Sequence, residues 1–255
     1  MELESITISM AIAIFAAIAI GAFFKGVTGV GLPLFAIPAL TTITSVEDAV
    51  MIMIIPGIGA NLALVKRHWQ HRLMLNDHRP FMLGGFIGGI LGTLFLATVD
   101  DWWLKFVLVI WLALYLVQYS MGNKIGFLFR ARGKRASLIG IFAGTAQGAT
   151  GISAHVVAPY FHDRSAAPSA YAFLVACAFS VFGIAQTSAV IGSPLLTESR
   201  VILGLTALIP TLIFTRFGMA MSERVSQKLF TNLLLVTFVL MELKLIVDVA
   251  ITYRN

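Results

Sequence analysis

Six stretches of this chain, at about 48–65, 81–99, 102–121, 168–191, 199–218 and 228–252, are apolar over nearly the roughly 20 residues that a bilayer-crossing helix needs. In hydrocarbon every backbone N–H and C=O has to be bonded inside the protein, so runs of this kind fold as helices. The composition points the same way. With 58% hydrophobic and 12% charged residues and a mean hydropathy of +0.91, too little polar surface remains to solvate a soluble globule of 255 residues. The chain reads as an all-α integral membrane protein with about six full transmembrane helices.

Two further apolar regions, about 6–43 and 136–161, are interrupted near Gly26 and Gly148. They carry two copies of one motif, Lys25-Gly-Val-Thr-Gly29-Val-Gly31 and Gln147-Gly-Ala-Thr-Gly151-Ile-Ser153, which superpose on a shift of 122 residues. Glycine-interrupted hydrophobic segments at matching places in two halves mark the binding site of a repeat-built transporter. In the second half each piece is only about a dozen residues, too short to cross alone. Each region is a re-entrant hairpin, a pair of tilted crossings or one broken helix. Broken backbone at membrane depth persists only where protein or a water-filled cavity surrounds it.

Loop charge chooses among these. Lys66, Arg67, Arg72 and Arg79 lie in one loop, and Lys124, Arg130, Arg132, Lys134 and Arg135 in another; both belong in the cytoplasm, where basic residues collect. Asp100 and Asp101 then turn on the far side, with Glu47 and Asp48. If each broken region returns the chain to its starting side, Glu2, Glu4 and Glu198 are outside, Arg164, Arg216, Arg224 and Lys228 are inside, and 13 of the 18 Lys and Arg are cytoplasmic. A single crossing would move the last three basic residues outside. The returning hairpin is therefore expected, with both termini on the non-cytoplasmic side of the cell (inner) membrane. The acidic start, Met-Glu-Leu-Glu-Ser, lacks the basic n-region of a secretory signal, so no cleaved signal is expected.

Each half then holds one returning element and three spans, an odd number of crossings, and the second half runs inverted. The expected division is a first repeat over 1–121, a basic cytoplasmic linker over 122–136 and a second repeat over 137–255, within one membrane domain. Inverted repeats meet near the bilayer midplane, and rocking or gating around that point gives alternating access.

A helix that starts at a break presents unpaired N–H groups and the positive end of its dipole, which attract anions. Gly26, Gly29, Gly31, Gly148 and Gly151 permit close backbone approach, and Thr28 and Thr150 offer hydroxyl donors or N-caps. Lys25 adds a charge at membrane depth, with Gln147 as its neutral counterpart. The alternatives are close helix packing for the glycines and snorkelling to the interface for Lys25.

The motifs K-G-V-T-G-V-G-L-P-L-F-A-I-P-A-L, from Lys25 to Leu40, and Q-G-A-T-G-I-S-A-H-V-V-A-P, from Gln147 to Pro159, with the spacing of the spans after them, resemble the sulfite exporter TauE/SafE family, also called the toluene sulfonate uptake permeases. The resemblance covers essentially the whole chain. It implies transport of sulfur-containing anions such as sulfite or organosulfonates, with binding positions at Gly26, Thr28, Gly29 and Gly31, and at Gly148, Thr150, Gly151 and Ser153. The second copy departs from the family pattern at Ser153, Ala154 and His155, where more glycine is usual.

His155 is a candidate anion partner or proton carrier, or else a packed histidine. Among span polar residues, Asn61, which aligns with Gly183, and Gln186 join the expected site; Ser180, Thr187 and Ser188 read as helix bridges. Glu242 is a second candidate proton carrier, beside a self-neutralising Lys244–Asp248 pair. A small carboxylate is the alternative cargo. An intramembrane enzyme using Ser153 and His155 as nucleophile and base lacks an orienting third group; Asp100 with Asp101 as a metal pair reads instead as two solvated acids in a turn, and a structural subunit leaves the duplication unexplained. No cofactor, metal or nucleic-acid partner is expected: the single Cys177 makes no cysteine cluster, and the glycine motifs lack the Gly-Lys-Ser/Thr of a nucleotide loop. The expected partners are a small anion and the lipid bilayer; a homo-oligomer is compatible with the sequence.

Overall fold

The computed structural model describes residues 8–41, 43–120, 134–162, 164–165, 167–222 and 224, with scattered positions between 235 and 247. The described residues form helices α1 (Ile8–Thr28), α2 (Leu32–Thr41), α3 (Val46–Arg67), α4 (Leu75–Thr98), α5 (Asp101–Ser120), α6 (Lys134–Thr150), α7 (Ala154–His162), α8 (Pro168–Val190) and α9 (Glu198–Met221), with a 3-10 turn over Trp69–Met74. The protein is an all-α membrane protein.

Among the described residues, five segments are long and apolar enough to cross a bilayer: Ala11–Thr28, Val46–Arg67, Trp69–Thr98, Pro168–Val190 and Glu198–Met221. Four of them correspond to spans read from the sequence, and the run at 102–121 corresponds to the 20-residue α5. The expected span at 228–252 lies outside the described residues. The first segment modifies the expectation, because α1 alone has the length of a full crossing although it belongs to a broken element. Helix α6 starts at Lys134, ahead of the boundary expected at 137.

Helix ends follow local chemistry. The Ser45 hydroxyl accepts from the Asp48 N–H at 3.0 Å and caps α3, which carries Glu47 and Asp48 in its first turn and Lys66 and Arg67 in its last, matching the helix dipole. Thr197 caps α9 in the same way, and Pro168 opens α8 where its missing N–H costs nothing.

The packing registers fix helix directions. Gly84, Gly88 and Gly92 meet Ser137, Ile141 and Thr145 in turn, so α4 and α6 run parallel in very close contact. Gly26 abuts Gly218 and the Phe15 ring meets Phe214, so α1 and α9 are parallel as well. Asp48 pairs with Arg200 and Gly59 meets Leu208, which aligns α3 with α9; Gly85 and Gly89 meet Phe182 and Ala185, which aligns α4 with α8. Ile58 touches Gly183, while Leu64 clusters with Ala176, so α3 and α8 are antiparallel. Thus α1, α3 and α9 point one way and α4, α6 and α8 the other.

Two consequences follow. Because α1 and α3 are parallel, α2 must return the chain to its starting side, and it does so packed on α1 with Phe24 and Phe35 stacked at 5.7 Å. Because α6 and α8 are parallel, α7 returns the chain too. Each broken element therefore returns the chain toward the end from which it came, and the two are inverted relative to each other because α1 and α6 run oppositely.

The same directions segregate charge. Glu47, Asp48, Asp100, Asp101 and Glu198 gather at the starts of α3, α5 and α9, and Lys66, Arg67, Arg72, Arg79, Arg164 and Arg224 at the other end. Between the ends, outward stripes such as Leu83, Ile87 and Leu91 on α4, and Leu205, Ile209 and Ile213 on α9, present an apolar surface to lipid.

At the acidic end Arg200 donates Nε to Asp48 Oδ1 at 2.8 Å, Nη1 to the Leu195 carbonyl at 2.8 Å, and Nη2 to Glu47. Asp101 accepts the Val46 N–H at 2.7 Å and pairs with Lys105 at 2.8 Å. The Arg200 side chain is 15% exposed and that of Asp48 is 10% exposed, so removing the arginine strands a nearly buried carboxylate. Arg200→Ala is expected to cost about 3 kcal/mol, measured as thermal unfolding in detergent against the parent; Arg200→Lys, which cannot reproduce the fork, recovers part of it.

Candidate functional site

The helices break three residues beyond the positions read from sequence, at Gly29–Gly31 and Gly151–Ser153. The reason is local. Gly29 (φ 83°) and Gly151 (φ 69°) adopt the left-handed conformation that ends helices, and their N–H groups bond the carbonyls of Lys25 (2.9 Å) and Gln147 (2.8 Å). Lys25 to Thr28 and Gln147 to Thr150 therefore remain helical.

The two breaks share their wiring. Thr28 Oγ1 donates within the break, to the Val30 or Phe24 carbonyl (2.8 and 3.0 Å), and accepts the Val30 N–H at 3.3 Å. Thr150 does the same with Ile152 and Ala146. Lys25 Nζ donates to the Gly29 carbonyl at 3.1 Å, and Gln147 Nε2 to the Gly151 carbonyl at 2.9 Å. The carbonyl-rich ends of α1 and α6 are thus covered by their own side chains, whereas the amino ends of α2 and α7 begin beside the gap between the tips.

The threonine hydroxyls are consequently committed to the backbone. They tie the strand of chain between half-helices rather than standing at a helix start. Thr150→Val is expected to lose about 1 kcal/mol of stability, read as a lower unfolding temperature in detergent, while Thr150→Ser retains it.

A cavity of about 30 Å³, roughly twice the minimum for one water, lies between the tips and against the middles of α3 and α8. Lys25, Asn61, Gln147, Gly151 and Gln186 line it, and Gly31 and Ser153 line an adjoining space shared with Lys25, Gln147 and Gly151. Seven expected site residues thereby come together from α1, α3, α6, α8 and the two breaks. Ser153 Oγ donates to Gln147 Oε1 at 2.9 Å, and Gln186 Nε2 donates to the Gln147 carbonyl at 3.3 Å. Asn61 is 4% exposed and its Oδ1 has no hydrogen-bond partner among the described residues. Lys25 is 1% exposed, and its Nζ lies 5.0 Å from the centroid of Phe179, a cation–π distance.

Other expected residues stand elsewhere. A Cβ on Gly26 would lie 2.2 Å from the Thr215 carbonyl oxygen, and one on Gly148 would lie 2.5 Å from that of Gly89, so these two glycines serve close packing of α1 on α9 and of α6 on α4. Gly29 backs onto Ala172 of α8. His155 is buried edge-to-face on Trp111, with ring centroids 4.0 Å apart, outside the cavity lining. Glu242 lies outside the described residues. Phe179 was not legible beforehand, being one phenylalanine in an apolar helix.

The described fold is a polytopic helical bundle organised around two facing helix breaks, with a cavity lined by Lys25, Asn61, Gln147 and Gln186 where they meet. Residues 13–245, nearly the whole chain, match the family described as sulfite exporter TauE/SafE, and the chain belongs to that family. It is a family of membrane transporters of sulfur anions such as sulfite. No curated protein and no solved structure matches the chain.

Proposed function

We propose that this protein is a secondary transporter of a small sulfur-containing anion, sulfite or an organosulfonate, working by alternating access around the cavity between the two breaks. The observation that carries the reading is the matched pair of tips: two inverted half-helix starts face one cavity, and Lys25 is the one cation lining it among the described residues. An anion there meets the amino ends of α2 and α7, the Lys25 ammonium and the side-chain amides of Gln147, Gln186 and Asn61. Substrate is moved, not transformed.

The repeats, 1–121 and 137–255 around the basic linker 122–136, supply two equivalent ways of tilting these tips. The basic end faces the cytoplasm and the acidic end, with both termini, faces away from it, a reading supported by the distribution of Lys and Arg. Cys177 is the only cysteine and is buried, so Arg67→Cys and Asp100→Cys introduced into a Cys177→Ala background report sidedness by impermeant thiol labelling.

Transport is tested in liposomes with sulfite, sulfate, methanesulfonate and a small carboxylate. Saturable flux of a sulfur anion supports the reading. Preference for the carboxylate reassigns the cargo, and movement of no anion overturns the proposal.

A further inference from the structure

Resting on that reading of the site, we infer that the anion binds together with a proton carried by Lys25, which is the coupling group of the transporter. The two breaks differ in one decisive way. Where the second uses Gln147, which is neutral at every pH, to hold its Gly151 carbonyl, the first uses a lysine to hold Gly29. A glutamine serves the structural task, so the lysine brings something more: a charge that can be gained and lost.

The surroundings make that charge conditional. Lys25 is 1% exposed, and neither the cavity lining nor the adjoining space contains an Asp, a Glu or another titratable side chain. The charged and titratable groups of the packed elements stand apart. Glu47 and Asp48 hold Arg200 at one end of α3 while Lys66 and Arg67 close the other; His155 packs on Trp111, Arg216 faces outward and Cys177 is outside the lining. Among the described residues the Lys25 ammonium has no counter-ion; its large desolvation cost is offset there by one carbonyl and one aromatic face. An anion in the cavity provides the missing countercharge.

Binding of anion and proton are therefore linked, and the linkage is reciprocal: the anion draws a proton onto the Lys25 amine, and loss of that proton expels the anion. The proton adds to the amine lone pair and leaves from the ammonium, with no other bond changed. A monoanion then crosses as a neutral pair with its proton, and the empty carrier resets with an uncharged lysine. His155 and Glu242 are not required for coupling.

Calorimetry of the whole protein in detergent tests this with sulfate and methanesulfonate, neither of which carries a titratable proton near neutral pH. Titrations in buffers of different protonation enthalpy give the protons taken up per anion bound. Wild type should take up about one over the range where the empty site is unprotonated, with affinity falling about tenfold per pH unit there. Lys25→Gln should bind weakly with no uptake, and Lys25→Arg, permanently charged, should show no uptake at any pH. The wild-type value decides the matter even if a variant fails to fold. Binding without proton uptake overturns the coupling while leaving the anion site intact, and uptake retained in Lys25→Arg assigns the proton elsewhere. Absence of binding by either anion overturns the site and the coupling together.

Discussion

Gly88→Leu is expected to prevent assembly of the native bundle, whereas Gly57→Ala leaves it intact. A Cβ at Gly88 would sit 2.0 Å from the Ile141 carbonyl oxygen and 2.8 Å from its carbonyl carbon. Those are backbone atoms of a helix and cannot step aside. The neighbouring contacts repeat the condition: a Cβ added at Gly84 or Gly92 would lie 2.1 Å from the carbonyl oxygen of Ser137 or Thr145, and one at Gly140 or Gly144 would lie 2.1–2.2 Å from that of Phe81 or Gly85. Admitting one leucine means separating α4 from α6 along this face. In a membrane, helix association depends on such close packing, since lipid replaces the apolar driving force. The expected loss exceeds about 4 kcal/mol, in the range reserved for core disruption. A Cβ at Gly57 meets nothing within 4 Å. Monodisperse yield and unfolding temperature in detergent check both, and a Gly88→Leu protein as stable as its parent would contradict the packing described.

Lys25→Met is expected to remove anion binding while sparing the fold. Methionine fills much of the lysine's volume without its charge, and the Gly29 carbonyl loses one side-chain hydrogen bond, a cost of about 1 kcal/mol that leaves the bundle folded. What disappears is the one full positive charge facing the cavity. Losing one partner of a desolvated charge pair costs roughly 3–4 kcal/mol, so the anion dissociation constant should rise about 10²–10³-fold, with a matching loss of flux. Calorimetry on the folded variant checks it. If Lys25→Met binds as tightly as its parent, the lysine is structural and the half-helix starts alone hold the anion.

Much of this architecture is legible in the residues. The spans follow from hydrophobic length, a requirement of hydrocarbon that packing does not override. The returning course of the broken elements follows from where Lys66, Arg67 and the residues near Lys134 lie relative to Asp100 and Asp101. The position of the break is less legible, because Gly26 and Gly29 differ not in type but in the face of α1 they occupy: Gly26 meets α9, while Gly29 takes the left-handed turn. Thr28 likewise marks the break, yet its hydroxyl serves the backbone.

Long-range partnerships are the least visible. Nothing near Arg200 in the sequence names Asp48, 152 residues away, and only the parallel course of α3 and α9 joins them. Phe179 gains meaning only when α8 places it over Lys25. The duplicated motif pointed to Lys25 and Gln147 because the repeat aligned them, and it located the cavity better than any single glycine did.

The most direct test of the central claim is to locate the anion. Selenite, the heavier analogue of sulfite, can be placed by its anomalous scattering in crystals of the protein grown with it. The account predicts one strong peak in the cavity between the two breaks, lined by Asn61, Gln147 and Gln186 and within hydrogen-bond reach of Lys25 Nζ, that is lost in Lys25→Met. A peak among the basic residues at the helix ends, with none between the two breaks, would contradict it.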